Sequence, residues 1–368
     1  MSGADRDAGG LKGRRIAVVL FNLGGPDDQA SVKPFLFNLF NDPAIIGLPG
    51  LARTPLARLI SSRREAAAQA NYRLMGGGSP LLPETRRQAQ ALEAVLNDRL
   101  ADDEVRVFIA MRYWHPLTQE TAADVAVYGP DEVILLPLYP QYSTTTTQSS
   151  LKEWNAVYAG SGVSRAVCCY PDAPGWIEAQ ADGVCEKLDA PGDAPVRVLF
   201  SAHGIPEKLV TGKGDPYQEQ VETTVASVVA AVEARRGPID HAICYQSRVG
   251  PMKWLGPSTP EAIEAAGRDG LGVVVVPTAF VSEHIETLVE LDIEYAELAH
   301  EKGASPYLRA PAVGIGAPFI GALADAALDA LDRTGGRTGV APFGPGCKAK
   351  WKSCPRGDAG TCSARTAA

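Results

Sequence analysis

Several things are missing from this 368-residue sequence, and each absence narrows the reading. The longest uncharged apolar stretch, 310-APAVGIGAPFIGALA-324, falls short of the ~20 residues of a membrane-spanning helix and is broken by proline. The opening MSGADRDAGGLKGRR has no apolar core, so no secretory signal is expected there and the protein is read as cytoplasmic. No stripe of Lys and Arg interleaved with aromatics occurs, and the net charge of -8 argues against a nucleic-acid partner. The glycine-rich pieces 23-LGGPDD-28 and 75-MGGGSP-80 have neither the GK[ST] ending of a phosphate loop nor the G-x-G-x-x-G order of a dinucleotide site. They are read as tight turns, and no nucleotide cofactor is expected. The seven cysteines form no short C-x-x-C pair and, in a cytoplasmic setting, are read as thiols or metal ligands before disulfides.

What is present fits a globular α/β protein. With 45% hydrophobic residues the chain can bury sizeable cores, and its length suggests about two domains. Strands are expected at 15-RIAVVLFNLG-24, 105-VRVFIAMRYW-114, 132-EVILLPLYP-140, 163-VSRAVCCY-170, 196-VRVLFSAHGI-205, 241-HAICYQS-247, 272-GVVVVPTAF-280 and 308-LRAPAVGI-315. Several are apolar on consecutive residues, which marks parallel strands covered on both faces. Amphipathic segments at 84–100, 216–236 and 283–299 alternate with them. An internal echo pairs 19-VLFNLGGP-26 with 198-VLFSAHGIP-206, and 133-VILLPLYPQYS-143 with 273-VVVVPTAFVS-282. The spacing between the paired elements differs by about 39 residues, placing an insertion in the first half. The expected layout is a tail over 1–13, a first domain over 14–175 with an apolar lip at 34–65, and a second domain over 176–316. A final helix at 317–335 packs back on the first domain, and a cysteine-bearing tail covers 336–368. Each domain is expected to be Rossmann-like, a parallel four-stranded sheet flanked by helices.

Reactive groups in open α/β sheets collect at the carboxyl ends of strands. His203 lies at such an end, and so does 278-TAFVSEHIETLVELDIEY-295. Ser282 is a reasonable helix cap there. Glu283, Glu286, Glu290, Glu294 and Glu297 step by three or four residues and share a helical face without an intervening Lys or Arg. A solvated face and a path for protons or metal both fit that spacing. Arg64, Tyr72, Arg73 and Ser79 are candidates for holding a carboxylate. The lip, 34-PFLFNLFNDPAIIGLPGLARTPLARLI-60 followed by 63-RRE, reads as a greasy rim over a pocket or a patch that touches membrane with basic residues at its edge.

In this order the segments resemble the ferrochelatases: 21-FNLGGP-26, 72-YRLMGGGSP-80, 111-MRYWHPLT-118, 137-PLYPQYS-143, 200-FSAHGIP-206, 246-QSRVGPMKWLGP-257 and 282-SEHIETLVELDIEY-295. The resemblance implies two chelatase-type domains around a porphyrin cleft and insertion of ferrous iron into protoporphyrin IX, the last step of haem synthesis. A coproporphyrin, another metal, or a non-catalytic porphyrin carrier are the alternatives. It implies that His203 and Glu286 face each other across the macrocycle as the catalytic pair and bind the incoming iron. Glu283, His284 and Glu290 match a polar path away from the site, and Arg112 and Tyr113 match positions for metal access on the opposite face. Leu23, Tyr139, Trp254 and Phe280 match pocket walls. Arg64, Tyr72, Ser79, Gln246 and Ser247 match groups near the propionates. Ala67 stands where the family has a lysine, shifting that load to Arg248 or Arg73.

Cys347, Cys354 and Cys362 resemble the C-terminal ligands of a [2Fe–2S] cluster carried by some members. The place of the distant fourth ligand in several of them is Thr144 here, leaving Cys168 or Cys169 to supply it. A transient contact with the inner membrane surface and a homodimer are further implied partners.

Overall fold

The computed structural model describes residues 13–190, 192, 194–248, 252–332 and 340–342, so Cys347, Cys354 and Cys362 lie outside the described residues. Seven of the expected strands are present, and the eighth, expected over 308–315, is a short strand at Tyr307–Arg309. The first sheet holds β1 (Arg15–Asn22), β2 (Glu104–Met111), β3 (Glu132–Pro137) and β4 (Val163–Cys169) in the order β2-β1-β3-β4, all parallel. The second holds β5 (Val196–His203), β6 (His241–Gln246), β7 (Gly272–Pro277) and β8 (Tyr307–Arg309) in the order β6-β5-β7-β8, again parallel. The two orders are the same permutation, and the echoing segments occupy equivalent strands, β1 with β5 and β3 with β7. A short β9 (Val340–Pro342) adds a fifth strand beside β4, with Pro342 opposite Cys169.

The sheets are sandwiched by helices, which is why β7 is buried at every residue of GVVVVP. Between β1 and β2 lie α1 (Val32–Phe40), α2 (Gly50–Leu74) and α3 (Leu81–Arg99); then come α4 (Thr118–Tyr128), α5 (Thr147–Val157) and α6 (Pro174–Asp189). The second half contributes α7 (Glu207–Lys213), α8 (Tyr217–Arg236), α9 (Thr259–Arg268), α10 (Tyr295–Glu301) and α11 (Ala317–Leu331). The last of these packs on α3, α6 and β3. A continuous apolar core runs from Ile16 and Leu20 of β1 through Trp176 of α6 to Val276 of β7 and Phe319 of α11. Each such side chain contributes roughly 1.5–3 kcal/mol by leaving water.

The lip is largely helical, forming α1 and the 25-residue α2, which keeps Pro55 inside its first turns. One departure from the sequence reading matters. The expected helix at 283–299 begins only at Glu286, and Glu286–Glu294 is wound as a π-helix before α10 continues it. Ser282 does not cap it; its hydroxyl donates to Gln88 Oε1 of α3 at 3.1 Å.

Candidate active site

β5 ends at His203 and β7 leads into the loop before the π-helix, so adjacent strands deliver an imidazole and a carboxylate to one place. His203 Nδ1 lies 3.3 Å from Glu286 Oε2, at ion-pair distance although not as an aligned hydrogen bond. The His203 side chain keeps 39% of its surface accessible, yet Nδ1 itself is buried against Glu286. The same Glu286 oxygen is 3.2 Å from His284 Nε2, and His284 Nδ1 is 3.1 Å from the Ser282 carbonyl. With Nδ1 donating to that carbonyl, a hydrogen bond between Nε2 and Glu286 needs one further proton shared by the two. Phe280 packs beside both imidazoles, its centroid 4.5 Å from His284 and 6.4 Å from His203.

Burial works against the charged form of each partner, but the opposite charge prevails. Burial lowers and the Glu286 carboxylate raises the His203 pKa, leaving it above its ordinary value. Glu286 is disfavoured by burial, yet the neighbouring His203 and His284 hold it far below the usual carboxylate range. The site therefore favours an ion pair that can accept or release a proton without exposing a bare charge.

Glu286, His284 and Ile285 line a cavity of about 280 Å³ whose other walls are Leu23, Phe35, Leu36, Leu39, Phe40, Tyr72 and Leu81. Arg64, Ala67, Asn71 and Ser79 also face it. The glycine-rich turns build one rim by packing on each other: a Cβ at Gly25 would meet Ser79 Oγ, and one at Gly78 would meet the Asp27 carbonyl. Burial and then Glu286 push the Tyr72 phenol above its ordinary value, so it stays a neutral donor.

A ferrochelatase family model matches residues 15–331. The chain belongs to the ferrochelatase family. It is 59% identical over 351 residues to the ferrochelatase of Phenylobacterium zucineum (strain HLK1), covering 94% of this chain and 99% of that one. The ferrochelatase of Caulobacter vibrioides (strain NA1000 / CB15N) is 57% identical, with 93% and 97% covered. That of Hyphomonas neptunium (strain ATCC 15444) is 50% identical, with 94% and 96% covered. Among solved structures, SirB from Bacillus subtilis with Fe3+ overlays with a TM-score of 0.49 at 11% identity, over 87% of this chain and 96% of that one.

Around this cleft the remaining candidates divide. Glu290 accepts from Gln246 Nε2 (3.0 Å), Ser247 N (2.9 Å), Ser247 Oγ and Tyr295 OH (2.7 Å). Gln246 is fully buried and also bonds Ser201 and the Glu286 carbonyl. These three residues knit β6 to the π-helix, and Glu290 holds Ser247 at a positive φ of 61°. Glu283 leaves the acid face altogether: Arg309 Nη1 and the Ala312 amide each reach it at 2.9 Å. Burial opposes its charge, but Arg309 keeps its pKa lowered. Glu294 goes the other way, raised by burial and then by Glu290 and Glu297. Arg248 donates to the Leu255 carbonyl, Arg73 to Gln29, and neither lines the cavity. Trp254 has its indole nitrogen buried without a partner, as does the hydroxyl of Tyr139.

Arg112 and Tyr113 meet at a residue the sequence reading passed over. Asp42 Oδ2 receives Arg112 Nη2 at 2.8 Å, Tyr113 OH at 2.8 Å and Ser149 Oγ at 2.9 Å. Burial and then Asp42 push the Tyr113 phenol well above its ordinary value. Gln88 was also missed; its amide donates to the Val281 and Gly314 carbonyls at 2.8 and 3.0 Å, pinning the loop that carries His284. An Asp in an Asn-Asp-Pro turn and a Gln inside an amphipathic helix carry no local signal of such partners.

Proposed function

We propose that the cleft binds protoporphyrin IX and inserts ferrous iron into it, forming protohaem with release of two protons, and that His203 and Glu286 do the proton chemistry. The observation that carries this reading is the contact of His203 with Glu286 beside an apolar cavity. A free-base porphyrin presents flat apolar faces and two inner N–H groups, so a metal can enter only as those protons leave. His203 Nε2, with Nδ1 turned to Glu286, is the nitrogen left to accept a pyrrole proton. Glu286 balances the resulting imidazolium, His284 carries that proton on, and His203, neutral again, accepts the second. The neutral Tyr72 phenol, Ser79 and Arg64 sit where ring carboxylates can be held by charge-assisted hydrogen bonds. Leu23 and the phenylalanines Phe35 and Phe40 serve as apolar walls, and remote contacts of this kind supply the binding free energy that can distort the ring. Ferrous iron accepts imidazole and carboxylate donors, and two such donors bind loosely enough to let it go.

The lip supports access from a membrane surface. Leu51 is 97% exposed at the tip, Ile45, Leu48 and Leu59 are exposed beside it, and Arg58 and Arg63 lie along the same helix in solvent. No helix among the described residues is long and apolar enough to cross a membrane.

A [2Fe–2S] cluster on Cys347, Cys354 and Cys362 fits one feature of the described chain. β9 brings Pro342 alongside Cys169, and the tail then runs on to Cys347, so a thiol of β4 stands where the tail begins. Cys168 and Cys169 are both buried with their sulfurs 3.4 Å apart. Thr144 is committed to Asp215 through its amide at 2.8 Å and its hydroxyl at 2.7 Å. Such a cluster would supply one-electron chemistry; Cys169 is the fourth thiolate this register favours. Loss of visible absorption on Cys169→Ser but not on Cys168→Ser is the expected result.

The deciding experiment is metal insertion with protoporphyrin and coproporphyrin side by side, followed by absorbance and fluorescence. Faster turnover of protoporphyrin is expected. Preference for the tetracarboxylate would reassign the substrate, and binding without insertion of any metal would make the protein a carrier.

A further inference from the structure

We infer that Asp42 is a positioning residue that holds the apolar lip over the cleft, and that Arg112 and Tyr113 are its anchors rather than groups turned toward metal. The inference rests on the porphyrin reading of the cavity. Phe35, Leu36, Leu39 and Phe40 of α1 supply one apolar wall of the cavity, so the pitch of α1 sets the width of the cleft. Asp42 follows that helix directly, is 3% exposed, and joins it to two separate parts of the first domain: Arg112 and Tyr113 after β2, and Ser149 on α5.

The joint is largely self-contained, and Arg112 Nη2 also lies 3.7 Å from the partly exposed Glu153. Arg112 Nε donates to Ser149 Oγ at 2.9 Å while Ser149 donates on to Asp42, and the second carboxylate oxygen takes the Ala44 amide at 2.7 Å. Both oxygens are thus occupied, and the Arg112 side chain is only 17% exposed, so the charge of Asp42 has little water to fall back on. The corner's other bonds, from Arg53 to the Asn41 and Leu48 carbonyls and from Thr54 to Asn41, stay inside the lip. Asn38 adds a bond to the Tyr113 carbonyl at 3.1 Å, which locates the same strand end without carrying charge. Tyr113 itself packs with Val32, Phe35, Leu36 and Tyr72, so its ring transmits the position of Asp42 to the cavity wall.

The test uses the full chain. Asp42→Asn keeps the shape and removes the charge; the expected result is a KM for protoporphyrin raised about tenfold with kcat within about threefold. The dissociation constant from tryptophan quenching should rise in step, and tryptic cleavage at the exposed Arg58 should quicken. The double variant Tyr113→Phe, Ser149→Ala removes two donors without unpairing a buried charge, and should raise KM about threefold, so the inference survives a failure of Asp42→Asn to fold. A lowered melting temperature with KM, binding and cleavage unchanged in the variant that folds overturns it. A larger fall in kcat than rise in KM also overturns it, by returning Arg112 and Tyr113 to the reaction itself. Wild-type protein that neither binds nor metallates protoporphyrin would sink the porphyrin reading instead, a separate outcome.

Discussion

The two sheets share one strand permutation yet finish it differently. At the carboxyl end of the first, Arg112, Tyr113 and Ser149 converge on Asp42, so its buried charge is paired and hydrogen-bonded. At the carboxyl end of the second, Glu286 shares one oxygen between His203 and His284 in a half-open setting. The contrast teaches where chemistry can reside in a duplicated scaffold. A guanidinium cannot give up its proton near neutral pH, so its pairing with a carboxylate makes a fastener. An imidazole can, so the same kind of pairing leaves a group able to exchange a proton.

The largest expected effect breaks the exchanger. His203→Ala should lower the insertion rate by roughly 10²–10⁴-fold while porphyrin binding, followed by fluorescence, stays measurable. Turnover within a few-fold of wild type would erase the contrast between the two ends.

Glu286→Gln sharpens it through pH. Because Glu286 raises the His203 pKa above 6.5, the acid limb of kcat/KM for the wild type should lie above that value, where the imidazole becomes neutral and able to accept a proton. Removing the carboxylate should cut the rate by about tenfold or more and move the limb to lower pH. The stability consequence has its own sign. A raised histidine contributes fully below 6.5 and loses its contribution as pH climbs through the raised value; a lowered carboxylate contributes above 4.5 and loses it as pH falls. The melting-temperature gap between wild type and Glu286→Gln should therefore be widest between those two values and shrink toward alkaline pH.

A smaller effect separates scaffold from chemistry. Arg309→Met strands Glu283 and should cost about 3 kcal/mol in urea unfolding, as for other broken buried pairs, with a milder loss of kcat per folded molecule. The smallest concerns the rim. Leu51→Asp should leave stability within about 0.5 kcal/mol and insertion into detergent-dispersed porphyrin unchanged, yet slow insertion into porphyrin presented in anionic vesicles.

Much of this was legible in the residues. Buried parallel strands announce themselves by runs such as VVVV, and the echo between 19–26 and 198–206 marks equivalent strands. The expected strand ends overshoot at Gly24, Trp114, Pro140 and Phe280 because apolar burial continues past the last ladder bond, as Leu138 and Val281 show. Helical spacing put Glu283 on the same face as Glu286, and the structure removes it because Arg309, a neighbour only through β8, outcompetes the face. The π winding left no local trace, and the bonds that meet it, such as those of Gln246 and Ser247 to Glu290, come from residues distant in the chain. Asp42 and Gln88 were invisible for the same reason: their partners are distant in the chain and unremarkable in type.

The wide coil from Glu286 to Glu294 is an extravagance that a single deletion would correct. Drop one residue there and the stretch should settle into an ordinary spiral, better bonded along its axis. It would also turn its acids to new bearings, stranding the buried Gln246 amide that Glu290 now satisfies, so the tidier helix should belong to the frailer protein.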